Sequence, residues 1–408
     1  MTPPPAAPLA ASPLSFALLL PLLLAAQPVA TDSYLPALPA IANALGSAST
    51  SLTMFVLAFG VAQIPVGSLA DRIGRRPVLL GGLALYVVAA LVGALAVSSV
   101  MLACVRAVQG AAMAAILVCS RAAVRDLYPA HEGMHVMARG LTGLGFVALV
   151  APVLGAFIVQ WAGWRWVLVA MAIYGTVLLV MCWHSFGETR VPQSDAQPAV
   201  KGGVREVFAS RSFRVWASVS AASYGGIFCF LLLSPLVYIG YLGLEPALYG
   251  WIPSGGSAIY ICATTACRRL LHRWGPLRTI RLGAMLSITG ALIQAMGAWQ
   301  FPHSAWPLLL GHAFFSMGHG IHQPCGQAGA VGDLPQLAGR AVSWSGFYMM
   351  ALAFCVGQLA SRFMVAPYVH GAWPMVVPTL AAGAALVLIA FVWLPRLQPQ
   401  LQNKERTS

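Results

Sequence analysis

Asp32 lies in TDSYLPALPAI (31–41), deep inside a long apolar stretch. A charge at such a depth in a membrane costs at least ~2.5 kcal/mol unless it faces a cavity or a partner. A carboxylate retained there suits one piece of chemistry, the uptake and release of a proton along a pathway. The other reading is an acid that caps backbone freed by Pro28 or Pro36. Only ten residues of 408 are acidic, nearly all in predicted loops or at helix ends, and Asp32 is the exception. Arg106, in LACVRAVQG (102–110), is a second charge within an apolar run. An arginine cannot shed its proton, so it must meet water, carbonyls or a carboxylate. Asp32 is the candidate partner; the alternative is an arginine that simply pins neighbouring helices together. Separating or screening such a pair would move a proton on or off. One proton entering down ~100 mV and ~1 pH unit supplies about 2.3 plus 1.4 kcal/mol, so a single carboxylate could sustain roughly a several-hundred-fold gradient of a neutral solute.

The third charged constellation is GSLADRIGRRP (67–77), one acid and three arginines between two apolar runs. Asp71 falls at the C-terminal end of a helix, where the dipole disfavours it. Compensation must come from Arg72, Arg75, Arg121 or Arg125, or from the positive N-terminus of a helix in the other half of the chain. The last arrangement would be a latch that breaks as the protein changes shape. Gly67 and Gly74 permit close backbone approach, and Arg76 completes the basic cluster. A solvated turn with local ion pairs is the competing reading.

The elements that position these groups are membrane spans. Hydrophobic residues make up 59% of the chain, charged residues 8%, and mean hydropathy is +0.79. These values exceed what a soluble core needs and leave room for roughly a dozen helices of about 20 residues. Apolar runs predict spans at 14–44, 49–70, 76–96, 99–124, 137–160, 165–185, 211–240, 247–267, 278–298, 304–331, 340–365 and 373–394. The first is too long for one straight crossing, which predicts tilt or a bend near Pro28 and Pro36. The fold class expected is therefore all-α and polytopic, with two pseudo-symmetric six-helix bundles at 14–186 and 211–394. A polar loop (187–210) separates them, and tails (1–13 and 395–408) flank them. RRLLHRWGPLR (268–278) is a weak echo of the first hinge, without its acid.

The net charge of +13 does not signal nucleic acid. Of 23 lysines and arginines, only Arg106, Arg165 and Arg362 fall away from one set of alternate loops and the C-terminal tail. That is the positive-inside pattern, and it places both termini in the cytoplasm. The apolar N-terminus lacks the basic start of a signal peptide. The eight cysteines show no disulfide or zinc-ribbon spacing and read as packing residues.

Further candidates are individually weaker. APVLGAFI (151–158) joins Pro152 and Gly155 at a helix crossing and suits a rocking hinge or ordinary close packing. Gln27, Tyr34, Gln63, Gln109, Met113, Tyr224, Tyr238, Tyr348 and Gln358 are polar or adaptable side chains suited to a cavity wall. His312, His319 and His322 share a face by spacing, as titrating groups, metal ligands or simple interhelical hydrogen bonders. HEGMH (131–135) fits the zinc-protease pattern through His131, Glu132 and His135. It is expected in a loop, contains Gly133 and has no evident third ligand, so a membrane metalloprotease is the remote alternative.

Taken together, TDSYLPALPAI, GSLADRIGRRP, LACVRAVQG, SRAAVRDLYP, APVLGAFI with GWRW, and LLLSPLVYI resemble the Bcr/CflA drug-resistance exporters of the major facilitator superfamily. The resemblance runs through the first seven spans in order. It implies twelve helices, alternating access and proton-driven drug efflux across the bacterial inner membrane. The family's first-helix acid falls on Asp32, its fourth-helix arginine on Arg106 and its hinge acid on Asp71. A related exporter has a further acid where this chain has Leu24, and the histidines of GHGIHQPCGQAGAVGDLP (318–335) and Arg340 also depart from the pattern. The expected protein is a monomer, as two pseudo-symmetric halves in one chain allow, and not an enzyme, with no cofactor or metal. Its partners are protons, the bilayer and a small amphipathic drug of phenicol, bicyclomycin or sulfonamide type. A metabolite carrier on the same scaffold is the alternative.

Overall fold

The computed structural model describes residues 13–128, 130–189, 204–334, 337–364 and 368–397. Most of the N-terminal tail, most of the central linker and the last C-terminal residues lie outside them. The helices are α1 Pro13–Thr31, α2 Leu38–Leu45, α3 Ser49–Ile73, α4 Arg75–Ala94, α5 Ser99–Leu127, α6 Ala130–Ala162 and α7 Trp164–Ser185. After the linker come α8 Val204–Ala209, α9 Arg211–Pro235, α10 Pro246–Tyr249, α11 Trp251–Gln300, α12 Trp306–Gly332, α13 Ala338–Ser361 and α14 Trp373–Leu388.

Among the described residues, ten stretches are long and apolar enough to cross a membrane, and one of them, Pro246–Gln300, is long enough for two crossings. Its helix α11 reverses at Gly275, whose φ of 72° and ψ of 173° lie outside helical space. Neighbours show the reversal directly. Before the turn, Tyr260, Ala263 and Thr264 face Gly320 of α12; after it, Gly283, Gly290 and Gly297 face His322, Gly311 and Pro307 in descending order. Helix α12 supplies the remaining span. At 27 residues it is long enough, but three histidines and two glutamines dilute its apolar run.

The first span is broken rather than bent. α1 stops at Thr31, a 3-10 turn covers Leu35–Ala37, and α2 resumes at Leu38. Pro36 and Pro39 carry no N–H, so a continuous ladder of helix hydrogen bonds cannot run through this stretch. HEGMH also departs from expectation: it lies in the opening turns of α6, not in a loop.

α1 to α7 pack together as one bundle and α9 to α14 as a second. The interfaces inside each bundle use small residues, as expected where lipid supplies no hydrophobic drive between helices. A Cβ added at Gly110 of α5 would collide with the Phe55 carbonyl of α3, and Gly290 and Gly311 meet backbone to backbone. The bundles touch along α3 with α13, where Gly60 lies under Met350, and along α6 with α11, where Gly145 meets Ile261. Gly110→Val, which forces α5 away from α3, is expected to cost about 1–3 kcal/mol and to lower the melting temperature of the purified protein; an unchanged melting temperature would refute this account of the seam.

Candidate functional site

Between the bundles lie two connected chambers. The inner one, about 230 Å³, is walled by Gln27, Thr31 and Asp32 of the first bundle and by Tyr224, Tyr260, His312, Ser316 and His319 of the second, among others. The other, about 240 Å³, lies toward the Gly67–Pro77 hinge end and includes Phe59, Gln63, Arg121, Gln323 and Gln327. Gln27, Tyr224, Tyr260 and His319 line both chambers and so form the neck between them. At the far end the bundles close. Gly250 packs against the Pro152 carbonyl and Ala156, Gly357 against Thr53, and Tyr34, Tyr238 and Tyr249 are buried. Toward the hinge end Arg121 lines the chamber and remains exposed.

The break in the first span places Asp32 on this wall. Its backbone N–H donates to the Pro28 carbonyl at 2.8 Å, and its carboxylate accepts from Thr31 Oγ1 at 2.7 Å. It is the only acid lining either chamber among the described residues.

Arg106 is not its partner. The guanidinium is fully buried beside the break: Nη2 donates to the Ala30 carbonyl at 2.8 Å and Nη1 to Gln109 Oε1 at 2.5 Å. Its carbon sits 4.3 Å from the Tyr34 ring centre and 4.5 Å from that of Phe55. A planar guanidinium suits such a slot, with ring faces for its charge and its fork directed at acceptors. Ala30 lies in the last turn of α1, whose carbonyls have no onward helix to bond. The arginine therefore caps that end of the helix with the charge sign its dipole favours.

The hinge acid is likewise satisfied inside its own bundle. Arg75 Nη1 meets Asp71 Oδ1 at 2.5 Å, while Arg75 Nε meets Asp126 Oδ2 at 3.1 Å. Glu188, beyond α7, accepts the backbone N–H groups of Arg75 at 2.8 Å and Arg76 at 3.2 Å, capping α4. Arg76 reaches the Trp183 carbonyl at 2.9 Å. Gly74, at φ +107°, is required here: a Cβ would strike the Glu188 carboxylate. No ion pair to the second bundle appears here among the described residues. Gly67 has open space around it, Arg72 and Arg125 are exposed, and Arg121 belongs to the cavity rather than to Asp71.

Several cavity candidates are elsewhere. Tyr34 bonds Ser51 Oγ at 2.8 Å beneath Arg106, Gln109 holds Arg106, and Met113 is core. Tyr238 is buried against Phe230 and Tyr249, and Tyr348 lines a separate pocket with Phe208 and Arg211. Each sits in an apolar stretch where sequence gives no facing direction. Gln27, Gln63 and Tyr224 do line the chambers; Gln358 does not. Tyr260, Phe59, Ser316, Gln323 and Gln327 join them without having been singled out, although polar residues recurring at helical spacing along α12 were a signal.

The three histidines separate. His312 stacks on Phe230 with ring centres 3.5 Å apart, and His319 meets Ser223 Oγ through Nδ1 at 2.8 Å. Both line the inner chamber, whereas His322 turns to Gly283 of α11. In α6, Glu132 and His135 are exposed, and the His131 side chain lies outside the described residues. Among the described residues no three His, Cys, Asp or Glu side chains gather as a metal site. Pro152 and Gly155 link two places: the Gly155 face abuts the Ser33 carbonyl in the break, and the Pro152 carbonyl abuts Gly250 of the second bundle.

Two helical bundles around a central polar chamber define a membrane transporter, and the chain belongs to the Major Facilitator Superfamily, which it matches over residues 22–358. A chloramphenicol resistance protein of Pseudomonas aeruginosa is 29% identical over 380 residues, covering 88% of this chain and 86% of that one. A bicyclomycin resistance protein homolog of Haemophilus influenzae is 25% identical, covering 93% and 96%. A multidrug resistance protein MdtL of Escherichia fergusonii is 27% identical, covering 96% and 97%. These names agree with the resemblance to the Bcr/CflA exporters. Among solved structures, an inward-facing, unoccupied bacterial homolog of the human lysosomal transporter Spinster superposes with a TM-score of 0.72 at 15% identity, covering 94% and 97%. A D-xylose–proton symporter gives 0.70 at 15%, covering 91% and 97%. These two show the shared fold.

The cap on α1 makes its own prediction. In Arg106→Met the Ala30 carbonyl loses its donor, so amide hydrogen exchange across 31–37 should accelerate about tenfold, equivalent to ~1.4 kcal/mol of local protection. Unchanged exchange would mean that Arg106 does not hold the break.

Proposed function

We propose that this protein exports small amphipathic drugs of phenicol, bicyclomycin or sulfonamide type in exchange for protons, by alternating access across the bacterial inner membrane, with both termini cytoplasmic. The observation that carries the coupling is Asp32, a carboxylate on the wall of a chamber between two bundles that is otherwise lined by neutral and aromatic groups apart from Arg121. The relatives named for drug resistance support the direction and the substrate class. With the positive loops inside, the chamber faces the cytoplasm, the side from which a drug is taken up.

Arg106 acts as a positioning residue: it fixes the end of α1 and thereby the place of Asp32. Asp71 and Arg75, tied to Asp126, and Glu188 on α4 keep the hinge end of the first bundle rigid, so that it moves as one body. α6 carries that motion, because its Pro152 to Gly155 stretch touches both the break and the second bundle. The protein works as a monomer, since both walls of the chamber come from one chain.

In proteoliposomes, adding drug to the wild type should move protons, and Asp32→Asn should abolish this while inserting normally. Full gradient-driven export by that variant would remove Asp32 from the coupling. Asp71→Asn should slow turnover several-fold at unchanged drug affinity, read from initial rates and binding together; an unaltered rate would end the rigid-hinge role.

A further inference from the structure

The neck between the chambers is asymmetric. On the second bundle, His319 is held at Nδ1 by Ser223 Oγ at 2.8 Å, and its ring is flanked by Tyr260 at 5.2 Å and Tyr224 at 6.5 Å between centres. This fixes the ring plane and commits one nitrogen. Nε2 has no protein partner among the described residues, although the imidazole is buried to within 8% exposure and lines both chambers. On the first bundle, Gln27 lines the same neck, and its side-chain amide has no protein partner among the described residues. Both groups line the cavity, His319 buried and Gln27 partly buried, and each needs a polar partner there, since leaving it dry and unpaired would cost about 1–3 kcal/mol. Water can fill that role at rest, and a substrate that replaces it must supply equivalent hydrogen bonds.

We propose that His319 and Gln27 form a two-sided clamp, one arm on each bundle, that grips a neutral hydroxyl or amide group of an aromatic substrate while its ring lies against Tyr224 and Tyr260. The clamp makes specificity depend on hydrogen-bond geometry. A lipophilic cation with no donor or acceptor displaces the waters of the neck without replacing their bonds. Because its arms belong to different bundles, the clamp is assembled only when the walls are at the right separation. Bound substrate then favours that arrangement over one with the bundles apart. The inference rests on the reading of the protein as a drug exporter and adds the residues that select the substrate.

The test is direct binding to purified wild type in detergent, using chloramphenicol and sulfadiazine as hydrogen-bonding probes and tetraphenylphosphonium as the probe without such groups. His319→Phe keeps a flat ring and removes the donor and acceptor; His319→Gln restores a polar group near the Nε2 position; Gln27→Leu removes the opposite arm. Each variant is first shown to be monodisperse with an unshifted melting temperature. His319→Phe and Gln27→Leu should each weaken binding of a hydrogen-bonding probe about five- to tenfold. His319→Gln should recover most of the loss, and tetraphenylphosphonium should bind the wild type more weakly than either drug. A His319→Phe protein that binds both drugs as the wild type does overturns the clamp and leaves drug export standing. Wild type that binds neither drug overturns both. Should His319→Phe fail to fold, Gln27→Leu decides: unaltered affinity there also overturns the clamp.

Discussion

A backbone carbonyl inside a membrane must find a donor within the protein, and the break in the first span is where this chain meets that constraint most acutely. α1 ends at Thr31 and α2 begins at Leu38, with Pro36 removing a donor within the interval and Pro39 another in the first turn of α2. Arg106 answers from α5, placing its guanidinium on the Ala30 carbonyl and burying its charge between Tyr34 and Phe55. Much else is arranged around that contact. Gln109, one turn on, holds the guanidinium; Ser51 holds Tyr34; Gly110 lets α5 approach Phe55. The irregular stretch is tolerated because it is packed by protein on one side and lines a cavity on the other. Asp32 sits on the cavity side.

The break also connects the acid to the moving parts. Gly155 of α6 lies on the Ser33 carbonyl, next to Asp32, and three residues earlier the Pro152 carbonyl lies on Gly250 of the second bundle. One helix thus touches the neighbour of Asp32 and the partner bundle within a single turn. In a close-packed interior a displacement at one of these contacts cannot be absorbed locally, so the two places are bound to shift together. At the other end of the bundle the ion pairs of Arg75 with Asp71 and Asp126, and the cap that Glu188 sets on α4, tie α3, α4 and α5 to the segment after α7. The first bundle is braced at its hinge end and articulated at its far end.

The sequence conveyed the fold well because hydropathy over about 20 residues is a one-dimensional signal, and the spans, including the paired ones of α11, announce themselves by composition, α12 most faintly because of its histidines and glutamines. It conveyed Asp32 and Arg106 for a related reason, since a charge in an apolar run is conspicuous wherever it points. What it could not convey was direction. Tyr34, Gln109 and Met113 lie in runs apolar on all sides, where periodicity gives no inner face; the structure turns them into the core. Arg121 and Arg75 stand in similar basic company, yet one faces the chamber and the other binds Asp71. The HEGMH segment reads as a loop partly because of Gly133, but one glycine does not stop a long helix.

The distribution of charge along the cavity closes the argument. Asp32 is confined to the inner chamber and Arg121 to the one nearer the hinge, with a neck of one amide, two phenols and one imidazole between them. Opposite charges in one small chamber would neutralise each other and leave little for a substrate or a proton to change. Separated by the neck, each keeps its own field: the arginine at the entrance and the carboxylate at the end of the path. Leu24, where a related exporter carries an acid, is buried against Gly140 of α6 and lines neither chamber. A site with one titratable acid binds either a proton or a cationic group there, not both. In the proposed exchange, the polar selection of a neutral drug falls to the uncharged neck, and Asp32 is left to carry the proton.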